Sequence, residues 1–582
     1  MIKHPKIVQR TPSEPVYSLA KTLGLTDFQA KLVANRTDQT DQLDEIVFPK
    51  LKHIQHPSAL KNIDLAAEII VDAIQSNGLI VLATDYDTDG VTSAWVATTA
   101  LCDYFSVPKS RIKHIIGDRK TGYGINENVV ERILSINEPI DLVISADQGS
   151  SDEERIAKLK SHNIDVCVTD HHQIPQSGVP KSAVCTVNPQ QEGCQYDKTV
   201  AGCFVIFLVM TQVRQALIKN GFLSAKSPSL KYLALNVALG TVADSVSLKS
   251  PNNRAIVHAG LQLINMFQSP AWQAVRELND NQGLPIDAEF LGFQVATRIN
   301  AASRVSDVNT AFNFLTANNL LEASAYLQQL DEDNQNRRTQ QETMLQQAQQ
   351  QAQQKYHDDT YSMTLKLNGN AGIQGIIASR IGEQYGVPTV AMTDLEDGNL
   401  AGSARGVVPN IDLREAFQWM SDQKEDLFIS MGGHKGAAGC MIPINFFDVF
   451  SDLFEQAVKL QLGDEAPVPI IETDGELSAS ELHIDTARML SDAGPWGQAF
   501  PEPTFDGRFQ LMDQRIVGEK HLKMVLQPHV TSLVVEAIAF FVDPKEWPDR
   551  QCHEIIAAYR MDVNRYCGQS KLQLIVEYFE KK

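Results

Sequence analysis

The segment "ATDYDTDGVTS" places Asp85, Asp87 and Asp89 at alternate positions, with Gly90 behind them. Three carboxylates within five residues repel one another, so something positive must face them: a divalent cation, or the start of a helix that they cap. An EF-hand calcium loop requires a bidentate Glu at its twelfth position, and here that position is Val96. Further along, "SADQGSSDE" supplies Asp147, "VTDHHQIP" supplies Asp170, His171 and His172, and "ALGTVADSVSL" supplies Asp244. Taken singly, a strand-end Asp is more often a helix cap than a ligand, and a His pair before a turn is often merely solvated. Adjacent histidines point in different directions, so one can ligate a metal while the other faces substrate. Neutral imidazole suits transition metals such as Mn. Carboxylates and one imidazole gathered in one place match a two-metal hydrolytic site. Its ions stand roughly 3.5–4 Å apart, activate water and stabilise an in-line displacement at phosphorus.

The elements that must gather these residues follow from the pattern around them. Between Leu79 and Asp244 short apolar runs ("LIVLATD", "DLVISAD", "DVCVTD") alternate with helical stretches ("TSAWVATTAL", "DEERIAKLKSHN"), which predicts a parallel α/β sheet. The three runs end in Asp, and the carboxyl ends of parallel strands line the ligand crevice. From Leu320 to about Tyr356 there is neither Gly nor Pro, which predicts one long connecting helix, with a disordered glutamine-rich linker as the alternative. A second α/β pattern from Ser362 to about Leu460 carries "GIQGIIASR", "AGSARG" and "MGGHKGAAG". After "GDEAPVPI", alternating strands such as "RFQLMDQRIVG" and "VVEAIAFFV" predict a small all-β barrel. The expected boundaries are an N-terminal segment over 1–60 packed on the catalytic domain, an α/β domain over 61–319 and a connecting helix over 320–357. A smaller α/β domain over 358–462 and the barrel over 467–582 complete the chain.

Composition bounds the partners. The 582 residues, 43% hydrophobic and 21% charged, are those of a globular chain of several domains. A net charge of −20 argues against broad adhesion to polyanions, so any nucleic-acid site must be a local groove or use metal ions. The eight Cys form no CxxC pair, the N-terminus lacks an apolar signal core, and the longest apolar run is Cys203–Met210. These features predict a reduced, cytoplasmic chain with no membrane partner.

The ordered set "DYDTDG", Asp147, "DHH" and "GTVAD" resembles the DHH phosphoesterase superfamily. Further motifs, "VNPQQEGCQYDKTVAG", "PNNRAIVHAGL", "RINAASR", "GIQGIIASRI", "GSARG", "GGHKGAAG", "GPWGQAFPEPTF", "VGEKHLKMVL" and "NRYCGQSKLQL", follow the order of the bacterial RecJ branch of single-strand-specific 5′→3′ exonucleases, over roughly residues 50 to 580. The resemblance implies a parallel-sheet DHH domain, a DHH-associated substrate-binding domain and an OB-type single-strand-binding barrel, acting in DNA repair and recombination. It implies that Asp85, Asp87, Asp89, Asp147, His171 and Asp244 form or support a centre for two divalent cations, Mn2+ or Mg2+, with Asp147 bridging. Asp170 would orient the adjacent imidazole, and His172 would face the scissile phosphate. Arg119 would contact the substrate backbone. Arg298, Arg304, Ser403 and Arg405 would hold a terminal 5′ phosphate, since guanidinium forks fit phosphate oxygens. His434 would lie near the incoming strand, and Arg515, Lys520 and Lys523 would line the barrel's groove. The implied partners are single-stranded DNA with a 5′ end, a single-strand-binding protein and a helicase, with the chain itself a monomer.

Departures from the branch are Thr84 in place of the usual Gly, Asp118 in place of Asn, Gln148 after the third-motif Asp and Gly406 where Ser often stands. None removes a proposed ligand. In the pyrophosphatase branch a His stands where this chain has Ala83, so Asp85 would substitute. Two rivals use or abandon the same residues. A DHH-type phosphodiesterase for short oligonucleotides or cyclic dinucleotides would not need the terminal barrel, and a non-catalytic DNA-binding scaffold would have lost Asp or His from the metal motifs.

Overall fold

The computed structural model describes residues 5–279, 285–408, 410–433, 435–518, 520–529, 532–566 and 569–582. They fall into two compact units. One comprises residues 12–335 and 493–502, and the other residues 1–11, 336–492 and 503–582. The N-terminal segment is therefore divided, whereas the sequence reading kept 1–60 together on the catalytic domain. Its first strand, β1 (Lys6–Gln9), pairs in parallel with Ile470–Thr473, which satisfies its main-chain groups inside the second unit. Residues from Pro12 onward join the first unit.

The first unit is built on a five-stranded, wholly parallel sheet of β2 (Ile80–Thr84), β3 (Ile112–Ile116), β4 (Leu142–Ala146), β5 (Val166–Thr169) and β6 (Cys185–Val187), in the order β3-β2-β4-β5-β6. Every residue of β2, β4, β5 and β6 is buried, as expected of parallel strands covered on both faces. Successive side chains go to opposite faces. Ile80, Leu82, Leu142, Ile144 and Cys167 enter one core with the helices Ile63–Gln75, Thr88–Thr99 and Gly202–Lys219. Val81, Ala83, Val143, Val166 and Val168 enter the other, with Glu127–Leu134 and Glu153–Ser161. Gly202–Lys219 is long and apolar enough to cross a membrane by composition, but residues 202–210 are all buried in the protein's own core.

Residues 493–502 leave the barrel region and dock on this unit. Trp496 stacks on Phe500, Arg254 lies over the Phe500 ring at 4.2 Å, and Arg254 Nη1 donates to Pro495 O. Arg36 lies over Trp496 and donates through Nε to Pro501 O.

The linker is ordered helix, Leu320–Lys355. Its buried side chains, Ala323, Leu327, Leu330, Asn334, Arg337, Gln341, Met344, Ala348 and Ala352, recur every three or four residues as a helical face requires. The stripe is polar in the middle, at Asn334, Arg337 and Gln341.

In the second unit a mixed sheet runs β10-β11-β9-β8-β7, from β7 (Met363–Leu367), β8 (Thr389–Asp394), β9 (Asn399–Arg405), β10 (Ser430–Gly433) and β11 (Ala437–Pro443). The strand Ile470–Thr473 is β12. Beyond it, β13 (Phe505–Val517), β14 (His521–Pro528), β15 (Val535–Ala539), β16 (Glu554–Tyr566) and β17 (Gln569–Lys581) close a barrel in the order β13-β14-β15-β17-β16. Alternate residues are buried from Phe505 to Leu511 of β13 and from Leu522 to Leu526 of β14, matching the period-two pattern of the sequence.

Candidate metal centre

The acidic run begins where β2 ends. Asp87 caps the helix Thr88–Thr99, its Oδ1 accepting from the main-chain N–H of Asp89 (2.9 Å) and Gly90 (3.2 Å). Asn300 fixes the same turn by accepting from Thr88 N and Oγ1, both at 2.9 Å. Asp89 points inward from the first helical turn and receives Gly202 N on Oδ2 (2.6 Å) and Cys203 N on Oδ1 (2.8 Å), at the start of Gly202–Lys219. A carboxylate at a helix N-terminus is electrostatically favoured. Asp147 follows β4 with a positive φ of 62°, held by its own N–H on Thr169 O at 3.0 Å. Asp244 stands at the C-terminus of Ala234–Ala243, where the helix dipole disfavours a carboxylate and favours a cation beside it.

These elements bring the six expected ligands together. His171 Nε2 lies 3.2 Å from Asp147 Oδ1, 3.6 Å from Asp244 Oδ2 and 3.8 Å from Asp89 Oδ2. Asp89, His171 and Asp244 present ligand atoms within 4.8 Å of one another, and so do Asp85, Asp87 and Asp147. With His171 Nε2 so near Asp147, Asp147 adjoins both triads. Asp85 Oδ1, Asp147 Oδ1 and His171 Nε2 are buried without any hydrogen-bond partner. Orphaned oxygens and an imidazole nitrogen aimed at one another form a donor set suited to Mn2+ or Mg2+, so the residues fit the two cations expected. Thr84 Oγ1 and both polar atoms of Gln148, two of the departures, are also buried without partners.

The electrostatics agree. Burial, then the neighbouring carboxylates, pushes Asp85 (by Asp87), Asp147 (by Asp89, Asp87, Asp85 and Asp244) and Asp244 (by Asp89 and Asp87) well above the ordinary carboxylate range. Burial lowers His171, which favours the neutral ligand form.

Behind the ligands, Asp170 departs from its expected role. Its Oδ1 accepts from the main-chain N–H of His171 (2.7 Å) and from His172 Nδ1 (2.8 Å), and its Oδ2 accepts from Ser150 N (3.0 Å). The ring it orients is that of His172, not His171. Burial acts against both charges, but their mutual hydrogen bond prevails: Asp170 is held below the ordinary range and His172 is raised to about 9. Asn188 Nδ2 donates to His172 O and Ser150 Oγ, locking the turn.

Tyr123, four residues after Arg119 in "GDRKTGYG", carries no motif that marks it in sequence. Its hydroxyl donates to Asp147 O at 2.8 Å and lies 2.9 and 3.2 Å from the two ring nitrogens of His172. Gly202, within "KTVAGC", was missed too. A methyl group there would stand 2.6 Å from Asp147 Cβ, so the helix can approach the ligand only without a side chain.

The arginines divide. The Arg119 guanidinium lies over the Tyr86 ring at 4.3 Å, with Nε 3.4 Å from Ser303 Oγ, and the charges of Arg119 and Arg304 both act on the Tyr86 phenol. Arg298 stands apart from them. Its Nε and Nη2 hold Asp331 at 2.8 and 2.7 Å and its Nη1 donates to Gln294 O, so the fork meant for a phosphate is engaged within the fold. In the second unit Arg405 Nη1 donates to Ser403 Oγ at 2.9 Å and to Ala404 O at 2.8 Å. A methyl group on Gly375, in the first turn of Gln374–Tyr385, would meet Arg405 Cζ and Ser403 Oγ at 3.1 Å, so this glycine brings a helix N-terminus against the guanidinium. His434 lies outside the described residues. Arg515 and Lys520 are exposed on the barrel, and Lys523 pairs with Glu536 at 2.7 Å.

Three family models match the chain: the DHH family N-terminal domain over residues 79–241, the DHHA1 domain over 359–460 and the RecJ OB domain over 473–578. Among curated relatives, the single-stranded-DNA-specific exonuclease RecJ of Dickeya dadantii is 35% identical over 89% of this chain and 90% of its own length. The enzyme of the same name from Haemophilus influenzae is 33% identical over 94% and 95%, and that from Escherichia coli 33% over 89% and 90%. Of solved structures, RecJ from Thermus thermophilus in complex with Mn2+ aligns with a TM-score of 0.78 at 23% identity, over 99% of this chain and 79% of that one. The same protein with Mg2+ gives 0.73 at 22% identity, over 99% and 78%.

Proposed function

The chain belongs to the RecJ family of single-stranded-DNA-specific exonucleases, and from that premise we propose that it degrades single-stranded DNA from the 5′ end to 5′-mononucleotides, using two divalent cations. The observation that carries the reading is the convergence of two ligand triads on Asp147, with three buried ligand atoms left unpartnered. Asp85, Asp87 and Asp147 would hold one cation, and Asp89, His171 and Asp244 the other. When bound, the pair supplies Lewis acidity to the phosphate and lowers the pKa of a water.

The protein's own groups do the rest. Gly202 N and Cys203 N fix the Asp89 carboxylate in place. Asp170 Oδ1 accepts from His172 Nδ1 and orients that ring, which would donate to a phosphate oxygen. Tyr86 stacks beneath the Arg119 guanidinium, which would contact the substrate backbone. Ser403, Arg405 and the helix start at Gln374 form an anion site suited to the terminal 5′ phosphate. The barrel would bind the strand, which an enzyme for cyclic dinucleotides has no need of. On the same reading the chain works as a monomer in the cytoplasm during repair and recombination, where a helicase and a single-strand-binding protein present its substrate.

The test is digestion of a single strand labelled at either end, with Mn2+ or Mg2+. Early release of labelled mononucleotide from the 5′ end supports the reading. Release from the 3′ end, or cleavage confined to dinucleotides, overturns it.

A further inference from the structure

Two thiols face each other on the strands that lead to the His171–His172 turn. Cys167 of β5 and Cys185 of β6 are partners in the parallel register, and both side chains enter the same core. Neighbouring strands lie about 4.8 Å apart, inside the Cα separation of roughly 4.4–6.8 Å that a disulfide spans. Both thiols are free, and they share a hydrogen bond that Cys167 donates. Cys185 Sγ in turn donates to Asn62 O at 3.6 Å.

The two are not equivalent. The bond from Cys167 draws the Cys185 thiol below its ordinary range against the effect of burial, whereas the same bond and then burial push Cys167 well above it. The thiolate is the nucleophile of thiol chemistry, so Cys185 reacts first. It is also the nearer to water. β6 has three residues, borders the sheet with β5 as its neighbour, and follows a loop whose residues Gln176, Ser177 and Gly178 are exposed. Short elements at an edge open locally at low free energy, and hydrogen peroxide is scarcely larger than water.

The register decides what a bond between them would do. One pleat further on, Thr169 pairs with Val187, and Asp170 N donates to Val187 O at 3.0 Å. β5 then delivers Asp170, His171 and His172, and β6 delivers Asn188, whose side chain holds His172 O. A disulfide brings its two Cβ atoms to about 3.8 Å, about 1 Å closer than the strand spacing. Both strands that carry the turn are thereby drawn together just before the ligand His171.

We propose that Cys167 and Cys185 are a peroxide-modifiable pair whose disulfide draws His171 away from the metal centre and reversibly shuts off cleavage. The Cys185 thiolate attacks one oxygen of hydrogen peroxide and the O–O bond breaks. The departing hydroxide takes up the thiol's proton as water, leaving Cys185 a sulfenic acid. The Cys167 sulfur then attacks the Cys185 sulfur, the S–O bond breaks, and the Cys167 proton leaves with the hydroxyl as a second water. The two thiols lose two electrons, and one peroxide is reduced to two waters. A dithiol reductant reverses the step by thiol–disulfide exchange. The inference rests on the metal-dependent reading above for the activity that is shut off, and on the register alone for the bond.

The test treats full-length, metal-free protein with hydrogen peroxide and then removes the excess with catalase. One portion is digested without reductant for mass spectrometry. The other receives Mn2+, for calorimetry and for cleavage of a labelled single strand. The expected result is a peptide pair linked through Cys167 and Cys185, a weaker Mn2+ affinity and cleavage slowed on the order of 100-fold, as a shift of about 1 Å implies, all restored by dithiothreitol. Cys185→Ser and Cys167→Ala should cut as the parent does before treatment and keep that rate after it. Treated parent without the linked pair overturns the proposal. So does linked protein that binds Mn2+ and cuts as before, or a Cys185→Ser variant inactivated as fast as the parent. Failure of the untreated parent to cut single strands overturns the functional reading instead, while the linked peptides and the Mn2+ affinity still decide on the thiol pair.

Discussion

Adding one methyl group at Gly202 tests the metal centre without touching a ligand or a charge. In Gly202→Ala the new carbon would lie 2.6 Å from Asp147 Cβ, 2.9 Å from Asp147 Cα and 2.7 Å from Asp147 Oδ1. Carbon atoms settle about 3.5–4.0 Å apart, so helix and ligand must separate by roughly 1 Å. Neither yields cheaply. The helix start is tied to Asp89 through Gly202 N and Cys203 N, and Asp147 is tied to Thr169 O and, through its carbonyl, to Tyr123. Overpacking of this kind costs about 1–3 kcal/mol of stability, and a displacement of about 1 Å in a positioned group costs on the order of 100-fold in rate. The assay is single-turnover cleavage of a labelled single strand at saturating Mn2+, with Mn2+ affinity by calorimetry and a thermal melt to show that the variant is folded. A folded variant within three-fold of the parent rate, with parental Mn2+ affinity, would refute the argument that Asp147 is placed by this contact.

Three further outcomes follow from the same charges. Asp147→Asn should abolish cleavage yet raise the melting temperature of the metal-free protein near pH 7, by roughly 2–4 °C for each kcal/mol of repulsion relieved. A carboxyl whose folded pKa is raised contributes stability below its unfolded pKa and loses it as pH rises through the folded one, and Asn has no such loss. Because Asp85, Asp147 and Asp244 are all raised, Mn2+ binding should release protons and tighten as pH rises; calorimetry in two buffers of different ionisation heat reads this, and equal heats would contradict it. His114 is lowered by burial from 6.5 to about 4, with its Nε2 2.6 Å from Thr98 Oγ1, so the unfolded chain binds a proton there that the folded one refuses. Stability should therefore fall by up to about 3 kcal/mol between pH 6.5 and pH 4 on this account, and His114→Gln should flatten that limb of a denaturation series. An unchanged slope would place the acid sensitivity elsewhere.

Two of the candidate ligands, Asp85 and Asp147, are legible in sequence because parallel strands advertise themselves as short apolar runs and an Asp at the end of each marks the crevice. Asp244 stands at a helix end, and only the resemblance of its motif points to it. Their supports did not announce themselves. Gly202 matters because a helix passes within contact distance of Asp147, and Asn300 because its side chain reaches back to Thr88; both are long-range contacts with no local period. Arg298 lies in the same motif as Arg304, six residues before it, and its guanidinium holds Asp331, a long-range contact that the motif does not announce.

The chain crosses between the two units at residues 11–12, 335–336, 492–493 and 502–503. Removing the chain from Pro467 onward would take more than the barrel: it would strip β12 from β1 and Phe500 and Pro495 from the buried Arg254. Substitution on the barrel face is thus the better probe of strand binding.

A pair of cations shared through Asp147 should be visible in anomalous diffraction from crystals soaked in Mn2+, recorded near the manganese edge. Two peaks are expected about 3.5–4 Å apart, one among Asp85, Asp87 and Asp147 and the other among Asp89, His171 and Asp244, with Asp147 touching both. A single peak at saturating Mn2+, or a pair of peaks that leaves Asp147 unligated, would contradict it.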